Sequence, residues 1–289
     1  MVRRIGDRAD GRLLRSLSPM HRVEPFIMVE RNDATNHIKG KVEISEVEKY
    51  IKQKREQGYK GFGLMHFVIA SYVRTISQRP AVNRIISGQR IYARHNIEMN
   101  MDIKKEMTLE APNTCIKVVF DPKDTAADVY NKLKTAIERE KGGGLDSDFD
   151  NLAAALIRMP RIIFKFGVWC LKTLDYFGLL PKALLSVSPF HGSFFYTSMG
   201  SLGIPPVIHH LYNFGNIPVF IATGPKLTEY EIDSKGSVVK KKYMEYIIVT
   251  DDRITDGFYY ASALKIFSGN FRHPERLDVP PETVYEDID

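Results

Sequence analysis

The chain has 289 residues, 44% of them hydrophobic, and a formal net charge of +6, enough apolar material for one large domain or two small ones. Its lysines and arginines are spread along the chain, which argues against a nucleic-acid groove and leaves polyanionic ligands such as a nucleotide-bearing coenzyme open. The two cysteines, Cys115 and Cys170, lie far apart in apolar contexts, so a disulfide framework is not supported and buried free thiols in a reducing cytoplasm are expected.

Residues 1–22 are polar and basic, without the apolar stretch of a signal peptide, and are expected to form an arm on the body or on a neighbouring subunit. Residues 23–29 (Val-Glu-Pro-Phe-Ile-Met-Val) suggest a first strand. Residues 44–57 repeat apolar side chains at helical spacing (Ile44, Val47, Tyr50, Ile51) and stop at Gly58. A second, more apolar helix is expected over 62–77, ending ahead of Pro80. Strand patterns follow at 89–92, 96–101 and 113–120. An amphipathic helix over 125–140 closes at the triple glycine 142–144, a hinge or loop with no phosphate-binding motif around it.

Residues 151–185 are dense in large apolar side chains but interrupted by Arg161, Lys165, Lys172 and Asp175. A membrane span needs about 20 nearly uncharged residues, so this stretch does not read as one. Two readings stay open: an interfacial membrane helix with mostly basic charges, and helices packing on the core or on another subunit, which is the commoner use of such a face. No Lys, Arg, Asp or Glu occurs between Lys182 and Lys226, so this region is expected to be buried or to line an interface. Within it, a strand over 193–198 leads into Met199-Gly200-Ser201-Leu202-Gly203, and a second strand spans 217–223. A loop carrying Thr197, Ser198 and Ser201 beside Gly200 and Gly203 can bring hydroxyls and backbone donors close to a ligand, although strand-end hydroxyls also cap backbone groups.

The last distinctive stretch is a strand pattern over 246–249 that runs into Asp251-Asp252-Arg253-Ile254-Thr255-Asp256-Gly257. A helix pattern follows (Phe258, Tyr259, Ala261, Ala263, Leu264, Phe267), with Asp256 as N-cap. Carboxylates on such a corner can be held at a cleft, or can simply be turn residues.

Taken in order, Phe195-Tyr-Thr-Ser-Met-Gly-Ser-Leu-Gly203 and Asp251-Asp-Arg-Ile-Thr-Asp-Gly257 resemble motifs of the dihydrolipoyl acyltransferase catalytic domain, the core component of 2-oxoacid dehydrogenase complexes. Residues 66–83, with their Pro-x-x-Asn ending, and 96–102 are similar to further segments of that family. The resemblance spans roughly residues 12–276 and is poorest over 151–185. Chloramphenicol acetyltransferase shares the fold. The resemblance implies an α+β fold, with helices packed on a mixed central sheet. It also implies a homotrimer, or a multiple of one, with active sites between subunits, and coenzyme A as substrate without a metal. It places the acyltransferase-like domain at 23–278, with a helical elaboration at 147–186 and a tail at 279–289. No lipoyl-carrying segment or subunit-binding domain is visible, so the acceptor is expected to be a free small molecule or a separate carrier protein.

The family carries its general base as a histidine at the position occupied here by Asp252. Asp251, Arg253, Asp256 and Gly257 keep the pattern, the second Asp being structural in the family. The hydroxyl that steadies the oxyanion maps to Thr197, with Ser198 adjacent. A carboxylate of ordinary pKa near 4 facing a thiol near 8.5 is mismatched by about four units, or about 6 kcal/mol of driving force. Another base could stand in, and His209, His210 and His191 flank the hydroxyl loop, although a histidine in an apolar stretch is more often structural. Three readings follow: a coenzyme A-dependent acyltransferase or a diverged form of one, a catalytically silent trimer used for binding or assembly, and a membrane-surface protein using Arg161, Lys165, Trp169 and Lys172.

Overall fold

The computed structural model describes residues 4–104, 108, 113–142 and 158–289. Six strands form its main sheet: β2 (Thr35–Glu43), β5 (Ile97–Lys104), β6 (Asn113–Phe120), β7 (Phe194–Ser198), β8 (Val219–Ile232) and β9 (Val238–Asp251), in the spatial order β2-β9-β8-β7-β5-β6. The pairings are antiparallel except β5 with β7 and β7 with β8, so the sheet is mixed, as expected. A small antiparallel sheet, β1 (Gly11–Leu13), β4 (Arg90–Arg94) and β3 (Arg84–Ser87), lies beside it.

Strand alternation decides what each face of the main sheet meets. Met99, Ile116, Tyr196, Ile221 and Ile248 point to one face, where they pack with side chains of α2 (Ser45–Glu56), α3 (Leu64–Gln78), α4 (Ala126–Gly142) and the C-terminal helix described below. Helix α3 is buried on nearly all sides, which is why its apolar residues show no clean stripe. The opposite face carries a smaller cluster: Phe195, Leu211, Ile217, Phe220, Ile247 and Val249.

His66 of α3 is set among the rings of Phe62 and Tyr130, its Nδ1 accepting the Gly63 N–H at 3.2 Å. Burial pushes its pKa down to about 4. An unfolded histidine takes its proton near 6.5, so between pH 6.5 and 4 the unfolded chain binds a proton that the folded site refuses. Stability therefore falls as pH drops through that window, by up to about 3 kcal/mol from this residue. Burial lowers the pKa of His191 as well, adding in the same direction. Urea melts at pH 7, 5.5 and 4.5 measure the slope, and His66→Phe should flatten it.

Three expectations need correction. Residues 23–29 are not a strand; α1 (Pro19–Ile27) is a helix, with Pro19 in its first turn and Pro25 inside it. Pro19 has a φ suited to a helix start and Pro25 could not donate to a sheet ladder, while Phe26 and Ile27 stay exposed and unpaired. The thiols of Cys115 and Cys170 are free but only half-buried. Within the region free of charged residues, 201–205 and 207–208 are exposed, so burial within the chain fails there and the expected interface is the alternative left.

The apolar stretch contains α5 (Arg161–Tyr176) and α6 (Lys182–Val187); residues 147–157 of the expected elaboration lie outside the described residues, as do the glycines at 143 and 144. Helix α5 packs on the body through one side only. No described helix is long and apolar enough to cross a membrane. The polar N-terminus lies on the body, with β1 paired to β4, and the C-terminal residues run alongside it, Asp287 pairing with Arg84 at 2.7 Å and Asp289 with Arg12 at 2.9 Å.

Candidate active site

The corner at the end of β9 is built on one buried carboxylate. Asp251 receives both Nε (2.8 Å) and Nη2 (2.7 Å) of Arg253, and Arg31 Nε reaches it at 3.2 Å. All three side chains are buried. The remaining guanidinium donors end on backbone carbonyls: Arg31 on Tyr212, Gly215 and Ile86, Arg253 on Met28 and Val29. Asp251 thus stitches the sheet end to β3, to the chain after α1 and to the 212–215 loop. Gly215 has a φ of +81°, and a Cβ there would collide with the Phe190 carbonyl, so only glycine presents its own carbonyl to Arg31 in this way.

Asp252 follows and turns outward. It is exposed, its backbone N–H donates to the Ala34 carbonyl at 2.8 Å, and its carboxylate accepts from the Asn36 amide of β2. Asp256 caps the helix α7 (Gly257–Arg272), accepting the Tyr259 N–H at 2.8 Å; Gly257 opens the helix. Asp256 is thus bound to a helix terminus, the capping role weighed for it in the sequence.

Thr197 and Ser198 end β7, half-buried, before a single 3-10 turn over Gly200–Leu202 that Gly203 closes at φ +70°. Gly200 lies against the Gly224 carbonyl, which leaves little room for a side chain. The Thr197 hydroxyl has no hydrogen-bond partner among the described residues. The sheet register separates it from the carboxylate corner. Thr197 stands opposite Ala222, and Ala222 opposite Ile247. Asp251 is four residues beyond Ile247, about 13 Å, and two strand spacings add about 10 Å across the sheet, so more than about 15 Å divides Thr197 from Asp252 in one subunit.

The sheet face that carries Thr197 also carries a column of rings. Phe195, two residues back on the same face, stacks on Phe220 at 4.9 Å, and His209 lies on the other side of Phe220 at 4.0 Å with the planes within 2°. His210 stacks next, 4.7 Å from His209, and meets Tyr212 edge-on. Strand geometry puts the Cα atoms of Thr197 and Phe220 about 8 Å apart. His209 Nδ1 is 2.9 Å from the His210 carbonyl oxygen. A carbonyl can only accept, so Nδ1 carries the proton and Nε2 of the neutral ring holds the lone pair. His191 has a different role: it is buried, with Nδ1 2.7 Å from Ser188 Oγ and Nε2 3.3 Å from Asp175, a structural tie beneath α5.

Sequence reading missed Arg31, Asn36 and Phe220, and met Asp175 only as a charge that interrupts the apolar stretch. None carries a local signal: Arg31 and Asp251 are 220 positions apart, and Phe220 looks like any strand aromatic until its ring meets His209.

No protein-family model matches the sequence, and neither does any curated protein. Solved structures do match. A probable dihydrolipoamide acetyltransferase from Listeria monocytogenes superposes with a TM-score of 0.55 at 13% identity, over 94% of this chain and 99% of that one. The chain has the acyltransferase fold. The truncated catalytic core of the 2-oxoacid dehydrogenase multienzyme complex from Thermoplasma acidophilum gives 0.55 at 12% identity, covering 90% and 98%. A chloramphenicol acetyltransferase gives 0.54 at 13%, covering 86% and 94%. The acyltransferase fold, anticipated from the order of the motifs, thus covers nearly the whole chain.

Proposed function

We propose that the protein is a coenzyme A-dependent acyltransferase, moving an acyl group between a thioester and a small-molecule or carrier-protein acceptor, in which His209 has taken over the base role. The observation that carries this reading is the placement of His209: same sheet face as Thr197, ring held against Phe220, Nδ1 committed to a carbonyl and Nε2 left basic. In the proposed reaction Nε2 removes the coenzyme A thiol proton, the thiolate attacks the acyl donor's carbonyl carbon, and the Thr197 O–H donates to the oxyanion of the tetrahedral intermediate. Collapse expels the donor's leaving group, which takes the proton back from the imidazolium. Asp252 belongs, on this proposal, to a boundary with a neighbouring subunit of a homotrimer, since the sheet holds it far from Thr197 in its own chain. The two free thiols fit a reducing cytoplasmic setting.

A second reading is favoured by the exposed aspartate at the motif position: a trimer that keeps the fold for binding or scaffolding and performs no transfer. Coenzyme A and acetyl-coenzyme A titrations followed by thermal melting separate the outcomes. A ligand at about 100 times its Kd adds about 2.7 kcal/mol, which should raise Tm by about 5 °C or more. No shift at millimolar ligand rejects the enzyme reading. A shift without measurable transfer to any offered thiol or amine supports the silent one.

A further inference from the structure

Helix α5 carries on its outer side an apolar face that the other described residues leave exposed. Ile162 is 84% exposed, Phe166 62%, Trp169 58% and Phe177 66%. At 100° per residue Ile162, Phe166 and Trp169 share one side of the helix, and the rings of Phe166 and Trp169 stack at 5.7 Å. Arg161, Lys165 and Lys172 form a stripe along one border of that face, all exposed. The one acidic residue between positions 158 and 189 is Asp175, and it points inward, paired with Arg8 at 2.8 Å and 3.3 Å from His191. This anchor fixes the helix on the body, and the helix's own charges on its outer side, Arg161, Lys165 and Lys172, are all basic.

We infer that α5 is a docking surface for an anionic lipid bilayer, lying in the interface with Ile162, Phe166 and Trp169 among the acyl chains and its lysines and arginine among the headgroups. An apolar face bordered by basic residues, with an aromatic pair within it, is the composition that the headgroup boundary of such a membrane accommodates. A second copy of the chain is a poorer occupant, because pairing this face with itself brings Lys165 and Lys172 of both copies together without a carboxylate to meet them.

Trp169 is the only tryptophan in the chain, so its emission reports on this face alone. Added phosphatidylcholine vesicles containing about one-third phosphatidylglycerol should shift that emission to the blue and carry the protein into the pellet, while pure phosphatidylcholine does so far more weakly. Lys165→Gln with Lys172→Gln should lower partitioning about thirtyfold, and raising the salt should weaken it further. Phe166→Ser should abolish the shift with an unchanged far-UV melting curve, since the side chain lies outside the core. No shift and no pelleting with anionic vesicles overturns the proposal, as does equal binding to both vesicle types. A blue shift that appears without vesicles as protein concentration rises, and is lost in Phe166→Ser, would assign the face to a second copy instead.

Discussion

An Asp251→Ala chain should lose about 3–5 kcal/mol of stability, the cost of removing one partner from a buried ion pair. Arg31 and Arg253 would both stay behind in the interior, and the carbonyls that hold their other donors cannot neutralise them. The loss also cuts the link between the sheet end, the chain after α1 and the 212–215 loop, so damage should spread beyond the substituted residue. Against a typical total of about 5–15 kcal/mol this is a large fraction, and the urea midpoint should fall accordingly. Asp251→Asn keeps the shape and removes the charge, and should show most of the same loss. If Asp251→Ala costs less than about 1 kcal/mol, the cluster is not the anchor described above.

The second large effect is on activity. His209→Ala should lower kcat/KM for acyl transfer by about 100-fold to 10,000-fold, the usual contribution of a positioned general base. Asp252→Asn should change it by no more than a few-fold. His209→Ala also removes the ring stacked on Phe220, so it should cost about 0.5–1.5 kcal/mol, a Tm loss of only a few degrees that leaves the chain folded at the assay temperature and cannot account for a 100-fold loss of rate. The opposite pattern, a dead Asp252→Asn and an active His209→Ala, would return the base to the motif position and require a neighbouring subunit to bring Thr197 to it. Thr197→Val should weaken transfer while sparing coenzyme A binding, because the hydroxyl acts on the oxyanion and not on the bound thioester.

Much of the architecture was legible from local pattern. Helices α2, α3 and α4 and the cap at Asp256 follow from apolar spacing, glycine stops and an N-cap carboxylate, all of which act within a few residues. Strand β2 escaped because Thr-Asn-His-Ile-Lys-Gly-Lys-Val-Glu has only Ile38 and Val42 on its core side, with Gly40 between them beneath the Tyr246 ring. Residues 23–29 misled for the opposite reason. Their Val, Ile and Phe look like a strand, yet α1 leaves several of these side chains in solvent, so burial never tested the pattern.

The candidate site divides the same way. The motif corner and the hydroxyl loop could be found by order and spacing along the chain, because strand ends, caps and glycine turns are local features. That Asp252 faces outward, that Asp251 is clasped by an arginine 220 positions away, and that a histidine lies over Phe220 on the sheet face that carries Thr197 were decided only when the sheet register was set. Ring stacking and buried ion pairs depend on which strands become neighbours, and that choice belongs to the packing of the whole chain, not to any one segment of it.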